Sequence, residues 1–295
     1  AINPPGGLAN IEGLPKGPLT EYGGGTNPDN GDNSGTLKYV RVEFAGVALS
    51  PNNEINGITF GGVGSGTVVD RVMVRYANDD SFEWFGGTVN CTHLIAFRGL
   101  DDDFDTDFGF SGHIQFGIAL RDPNVADVSG SNSFESDNDA GSSTNIPQTS
   151  AVFSNITSSA GGNTTNNVNY KNGMLIRRNS HQYVYNSILL GWPTGATIDG
   201  STTQSNVLAD TMIQNNIVTG NSASTIGVTT PSNPAVITLL SNPAVKNRGA
   251  FNGNTYVKLT SPYSLTNPNF RPKTGSPALT GAGFNHVGIT SFFTP

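Results

Sequence analysis

The run DDDFDTD at 101–107 sets Asp101, Asp103, Asp105 and Asp107 at every second position. In an extended strand that spacing puts four carboxylates on one face and sends Phe104 and Phe108 to the other. Like charges this close repel one another unless a cation or neighbouring arginines offset them. Glu83 in DDSFEW and Glu135 in SNSFESDND hold comparable places in flanking segments, and coils stacked at ~5 Å would bring them into the same set. Hard oxygen ligands of this kind suit calcium. The spacing is not that of an EF-hand loop, because Thr106 stands where that loop needs glycine.

Two other uses of the same residues stay open. Arg75, Arg98 and Arg121 each close an apolar strand, and they could neutralise a merely solvated acidic face. Alternatively the cluster could be catalytic. Arg98 or Arg121 beside bound calcium could take the proton next to a uronate carboxylate, as in a polysaccharide lyase. Asp103 and Asp105 could serve as the acid and base of a glycoside hydrolase, although adjacent outward positions on one strand flank a glycosidic bond poorly. His93 and His113 sit at strand starts outside any nucleophile constellation and read as turn residues. Trp192, Tyr183 and Tyr185 offer a non-catalytic alternative, a glycan-binding platform of flat rings, if they face outward; Trp84 and Phe82 read as core. Cys91, the sole cysteine, excludes an intramolecular disulfide and a cysteine metal cluster, and reads as a small apolar core residue.

The elements that must position these groups follow from a repeat. The three arginines recur at one interval, with 23 residues from each to the next. A period of this size marks a solenoid, whose units bury their apolar faces only by stacking. Val72/Val74, Ile95/Phe97 and Ile118/Leu120 alternate at period two, so the units are strands and the fold is all-β, a parallel β-helix. Strands are expected at 37–46, 55–62, 68–77, 92–99 and 113–122, then at 151–157, 173–178, 183–191 and within 209–220. Phe82, Phe104 and Phe134 should stack inside, with Glu83, Asp105, Glu135, Asp107 and Asp137 on the outer side. Asn155-Ile156, Ser187-Ile188 and Asn216-Ile217 align as a polar ladder at one corner.

Residues 1–35, rich in Gly, Pro and Asn, form an irregular N-terminal arm or cap, 36–283 the β-helix with loops extruded near 140–150 and 158–170, and 284–295 a C-terminal tail. Windows long enough for an amphipathic helix are missing. Phe292 and Phe293 in the tail are expected to be buried, within the chain or against a neighbour. A net charge of −7 with only Arg177-Arg178 adjacent argues against a nucleic-acid surface. No run of 18 apolar residues suggests a membrane span, and Ala1 is not followed by a signal peptide, so the start reads as a mature or trimmed terminus.

The segments SPNNEINGITFGGVGSGT, DDSFEWFGGTVN, FRGLDDDFDTDFGFSG, IQFGIALRDP and SGSNSFESDND closely resemble secreted right-handed parallel β-helix proteins of Bacteroidota-type bacteria, often cargo of type IX secretion. FRPKTGSPALTGAG is similar to the closing coil of pectate-lyase-like β-helices. The resemblance implies the fold and export to the exterior or cell surface, and it supplies no catalytic residues. Fold alone does not decide chemistry. The reading is therefore a secreted or surface β-helix acting as adhesin, glycan-binding or structural element, with extracellular polysaccharide or neighbouring copies of itself as partners. A calcium-dependent polysaccharide lyase or glycoside hydrolase is the alternative.

Overall fold

The computed structural model describes residues 1–47, 49, 54–161, 167–221, 224–228, 232–250, 253–286 and 288–289. Two parallel sheets run along the chain, and each coil contributes one strand to each. The first sheet stacks the eight-residue strands Thr36–Glu43, Val68–Arg75, Asn90–Phe97, His113–Leu120 and Val152–Ser159. Shorter pieces then continue it from Tyr183–Tyr185 and Ile188–Leu190 to Arg248–Ala250. The second holds short strands: Ile58–Gly61, Phe82–Phe85, Phe104–Asp107, Phe134–Ser136, Asn172–Ile176, Thr194–Ile198 and Ser224–Val228. This is the parallel β-helix that the repeat and the alternation predict.

Because parallel register repeats the same position coil after coil, like residues stack. Phe82 pairs with Phe104, and Phe104 with Phe134. Their rings are fully buried, with centroids 5.9 and 5.6 Å apart. Trp84 packs inside on Phe60 and Phe110. The inward aromatic stack is as expected, and burial of rings this size dominates the core's stability.

A second column explains the bend in every long strand. Tyr39, Arg71, His93, Phe116, Asn155, Asn186 and Asn215 all have left-handed backbone, with φ between 53° and 63°. Left-handed geometry costs a non-glycine residue roughly 1–2 kcal/mol, and asparagine tolerates it best. At the three asparagines the N–H that follows is accepted by a side chain of the next coil. The Ser187 hydroxyl accepts from the Ile156 N–H at 3.1 Å, Asn216 Oδ1 from Ser187 at 2.9 Å, and Asn247 Oδ1 from Asn216 at 3.1 Å. The polar ladder exists: Ile188 pairs with Ile217, so Ser187 and Asn216 align as expected, but Thr157 rather than Ile156 pairs with Ile188, so Asn155 falls one residue out of that register and stacks on Asn186. Asn216 also donates to the Val184 carbonyl at 2.8 Å. Asn216→Ala is expected to lower unfolding free energy by about 1–3 kcal/mol in urea titration, since it strands two buried backbone groups.

Among the described residues three α-helices interrupt the expectation of an all-strand chain: α1 at Ser201–Ala209, α2 at Pro234–Leu240 and α3 at Gly253–Val257. They are legible only locally. The buried face of α1 is Thr203, Gln204 and Val207, no apolar stripe, while α2 starts from a capping Asn233 that accepts from the Ala235 N–H at 3.1 Å. Val236 and Leu240 of α2 are buried at the C-terminal end of the core. Parallel pairing among the described residues ends at Arg248–Ala250, short of 283. Beyond it, Leu259–Ser261 and Asn269–Pro272 pair antiparallel, and Leu259 and Val257 form a separate small core with Leu190 and Ile217.

The N-terminal arm runs along the flank and crosses several coils. The Asn3 N–H donates to the Phe108 carbonyl at 2.9 Å and the Gly87 N–H to that of Ala1 at 2.8 Å. Ile2 is buried against Gly86, where a Cβ would stand 2.3 Å from the Ile2 side chain. The segment near 140–150 is also pinned: Asn138 donates to the carbonyls of Ser143 and Asn145, and Thr149 is buried. Residues 162–166 of the other expected loop, and Phe292 and Phe293, lie outside the described residues. Gly288 lies against Val152 and His113, and Ile289 after it is fully buried. Among the described residues no helix is long and apolar enough to cross a membrane.

Candidate cation cleft

Strand alternation aims the acidic side chains of the short-strand sheet outward. Glu83, Asp105 and Glu135 form one register column, and Phe85 and Asp107 begin the next. Just before these strands the chain turns, and the turns of successive coils bring Asp79-Asp80 and Asp101-Asp102 beside the column. The Asp102 N–H donates to Asp80 Oδ1 at 2.7 Å, and the Asn132 N–H to Asp102 Oδ1 at 2.5 Å. The result is a cleft of about 490 Å³ lined by eleven carboxylates and two guanidiniums, those of Arg177 and Arg178. The arm supplies a wall through Glu12 and Tyr22, and Glu54 and Asp127 come from loops.

Three carboxylate triads have ligand oxygens within 4.8 Å of one another: Asp79–Asp80–Asp101, Asp80–Glu83–Asp105 and Asp102–Asp105–Glu135. They share Asp80 and Asp105, so they form a continuous chain of oxygen-rich positions. The protein itself compensates this charge only at one side. Arg177 pairs with Glu135 and, at 2.9 Å, with Asp137, while Arg178 reaches Asp137 at 2.6 Å. Asn56 donates to Glu83, and Asn132 to Glu135 at 3.0 Å. Asp101 Oδ1 and Asp105 Oδ1 are buried with no hydrogen-bond partner. Burial, then neighbouring carboxylates, hold Asp80, Glu83, Asp102 and Asp105 well above the usual carboxylate range. Burial also pushes Asp101 up to about 6, Asp79 to about 7, and Asp107 and Glu135 each to about 8. All-oxygen donors, overlapping triads and two orphaned buried oxygens fit a hard divalent cation such as calcium.

Of the residues the sequence nominates, Asp101, Asp105, Asp107, Glu83 and Glu135 converge in this cleft. Asp103 does not. The strand begins only at Phe104, and the bend ahead of it breaks the alternation, so Asp101 lines the cleft and the buried Asp102 joins Asp105 and Glu135 behind its wall, while Asp103 points into the core. There Arg121, also fully buried, meets Asp103 Oδ1 at 3.1 Å. Arg121 also donates to the carbonyls of Asp101 and Leu100, and lies over the rings of Tyr170 and Trp192. Phe108 is outward, not inward: its φ of 51° turns the ring into the cleft wall, 5.3 Å from Phe85.

The arginine triad does not neutralise the acidic face either. Arg75 pairs with Glu43 at 3.1 Å, Arg98 with Asp122 at 2.5 Å, and Arg121 is internal. The guanidiniums at the cleft belong to the adjacent pair Arg177-Arg178. Nor do the proposed platform rings face solvent. Trp192 is fully buried with Nε1 donating to Ser158 at 2.9 Å, Tyr185 is buried, and the buried Tyr183 donates to Asp210. Cys91 sits in the core, its thiol pushed up to about 12 by burial, and so is inert. Sequence reasoning passed over Asp79, Asp80 and Asp102, although the two Asp-Asp pairs stand at one offset before Phe82 and Phe104.

A family model described as the pectate-lyase like beta helix domain matches residues 17–263. The chain belongs to this family. No curated protein and no solved structure matches it significantly. The matched span contains every cleft residue except Asn10 and Glu12 of the arm.

Proposed function

We propose that this pectate-lyase-like β-helix is a calcium-loaded extracellular protein whose cleft binds a glycan through its cations and does no chemistry on it. The observation that carries this reading is the chain of triads sharing Asp80 and Asp105. Sugar hydroxyls and carboxylates are oxygen donors that complete a calcium shell left open by the protein. Sites of this exposure and charge match the millimolar calcium outside cells. Lyase chemistry is disfavoured because a base must be free near the metal. Arg177 and Arg178 are committed to Glu135 and Asp137, and Arg98 and Arg121 lie elsewhere.

One observation favours a second reading, metal-free glycoside hydrolysis. Asp79 and Asp101, pushed to about 7 and about 6, lie with Asp80 in one triad, where a shared proton suits acid/base work. Calcium separates the two. Titration of dialysed protein with calcium in a calorimeter should show saturable binding that Asp105→Asn weakens at least tenfold. Oligosaccharide binding should then rise with calcium, with neither unsaturated product nor new reducing ends. Reducing ends that appear in chelator and vanish on adding calcium would replace binding by hydrolysis, and absorbance of an unsaturated uronate product that needs calcium would replace it by a lyase.

A further inference from the structure

Charge is distributed very unevenly along this chain. All 22 acidic residues lie at or before Asp210, whereas Lys246, Arg248, Lys258, Arg271 and Lys273 lie after it. Every arginine up to Arg178 is ion-paired: Arg41, Arg71, Arg75, Arg98, Arg121, Arg177 and Arg178 each meet a carboxylate. From residue 211 onward the sequence offers no Asp or Glu, and among the described residues none of the five cations there has a carboxylate within ion-pair distance. An unpaired cation on a surface is ordinary. Two of them lining one built concavity are not.

Arg248 and Lys258 line a cleft of about 530 Å³ together with Thr255, Tyr256 and Thr280. Each is held in place by the backbone around it. Arg248 stands on the last parallel strand, half-buried, and its guanidinium donates to the Thr280 carbonyl at 2.8 Å. The same guanidinium lies against Gly281, whose φ is 90° and where an added Cβ would come within 2.8 Å of it. Lys258 has left-handed backbone, its N–H bound to the Asn254 carbonyl and its own carbonyl taken by the Lys273 N–H, both at 2.8 Å. Tyr256 packs partly on the small core of Leu190, Ile217, Val257 and Leu259, which fixes its ring at the wall.

We infer that this cleft is an anion subsite that takes the carboxylate or sulfate group of an acidic saccharide, on a face of the protein separate from the cation cleft. A guanidinium with one N–H committed to a carbonyl keeps others for an oxyanion, and a lysine beside it adds a second donor without competition from any acid. The hydroxyls of Thr255 and Thr280 and the ring of Tyr256 suit the rest of a sugar, and the volume matches one or two rings. The inference does not rest on calcium in the other cleft, since here the anion meets the protein directly.

Protein dialysed free of divalent ions should bind oligogalacturonate or a sulfated oligosaccharide in a calorimeter and leave neutral dextran oligosaccharides unbound. Arg248→Gln and Lys258→Gln should each weaken that binding at least tenfold, and Asp105→Asn should leave it unchanged. Lys258 is exposed, so its substitution tests the cleft even if Arg248→Gln unfolds the C-terminal segment. Arg271→Gln is the control for diffuse attraction. Equal losses in Arg271→Gln, equal binding of the neutral sugar, or binding that appears only when calcium is restored would each overturn the assignment. The last of these would leave the cation-cleft reading standing, while loss of calcium binding with retained anion binding would do the reverse.

Discussion

Calcium-free protein should melt at progressively lower temperature as pH rises from about 4 to about 8, and calcium should restore the loss most fully at the high end. The sign follows from the cleft. Burial holds Asp101 at about 6, Asp79 at about 7, and Asp107 and Glu135 at about 8, all above their ordinary values. Between the unfolded and folded values the native state therefore binds more protons than the unfolded chain, and stability falls as pH rises. Below about pH 4 both states are largely protonated and the penalty is absent; it grows as pH rises through the folded-state values of these groups. A cation must displace the same protons, so its contribution grows where the apo protein is weakest. At a hundredfold excess over Kd a single site adds about 2.7 kcal/mol, several degrees of melting temperature in a chain of this size. Asp105→Asn should show both signs at once: a higher melting temperature than wild type in chelator at pH 8, and a smaller rise on adding calcium. Differential scanning calorimetry across this pH range, with and without chelator, decides it. Identical curves with and without calcium would remove the metal from the cleft.

Arg121→Met should be the most destabilising single change at any one side chain described above, costing about 3–5 kcal/mol in chemical denaturation because it leaves a buried carboxylate alone. Burial pushes Asp103 up to about 6 even with Arg121 beside it, so without the arginine the group must take up a proton or draw in water. Arg121→Lys should rescue little. A lysine ammonium lacks the fork that reaches Asp103 and the carbonyls of Leu100 and Asp101 together. The double variant Arg121→Met, Asp103→Leu should recover only part of the loss, since those two carbonyls stay unsatisfied. Because they lead into Asp101 and Asp102, the same variants should weaken calcium binding. A double variant as stable as wild type would show that the pair's net contribution is nil.

Period, alternation and composition determined the parallel β-helix, the inward stack of Phe82, Phe104 and Phe134, and the outward placement of Glu83, Asp105, Asp107 and Glu135. These depend on local alternation inside regular strands, and a parallel register repeats one coil's pattern in the next. What failed did so where the chain leaves the strand. The alternation extrapolated through Asp103 and Phe108, but a bend before Phe104 and left-handed backbone at Phe108 reversed both. The polar ladder slipped by one residue only at its first member, because Thr157 and not Ile156 pairs with Ile188, while Ser187-Ile188 and Asn216-Ile217 align as their dipeptides predict. Partners were invisible for another reason. Arg177 and Arg178 stand 40 or more residues from the acids they bind, and Glu12 and Tyr22 reach the cleft only because the arm is pinned along the flank. The sequence thus named the acidic face, and the stacking of coils with the course of the arm decided which carboxylates share it, because proximity across coils depends on loop lengths that no local pattern encodes.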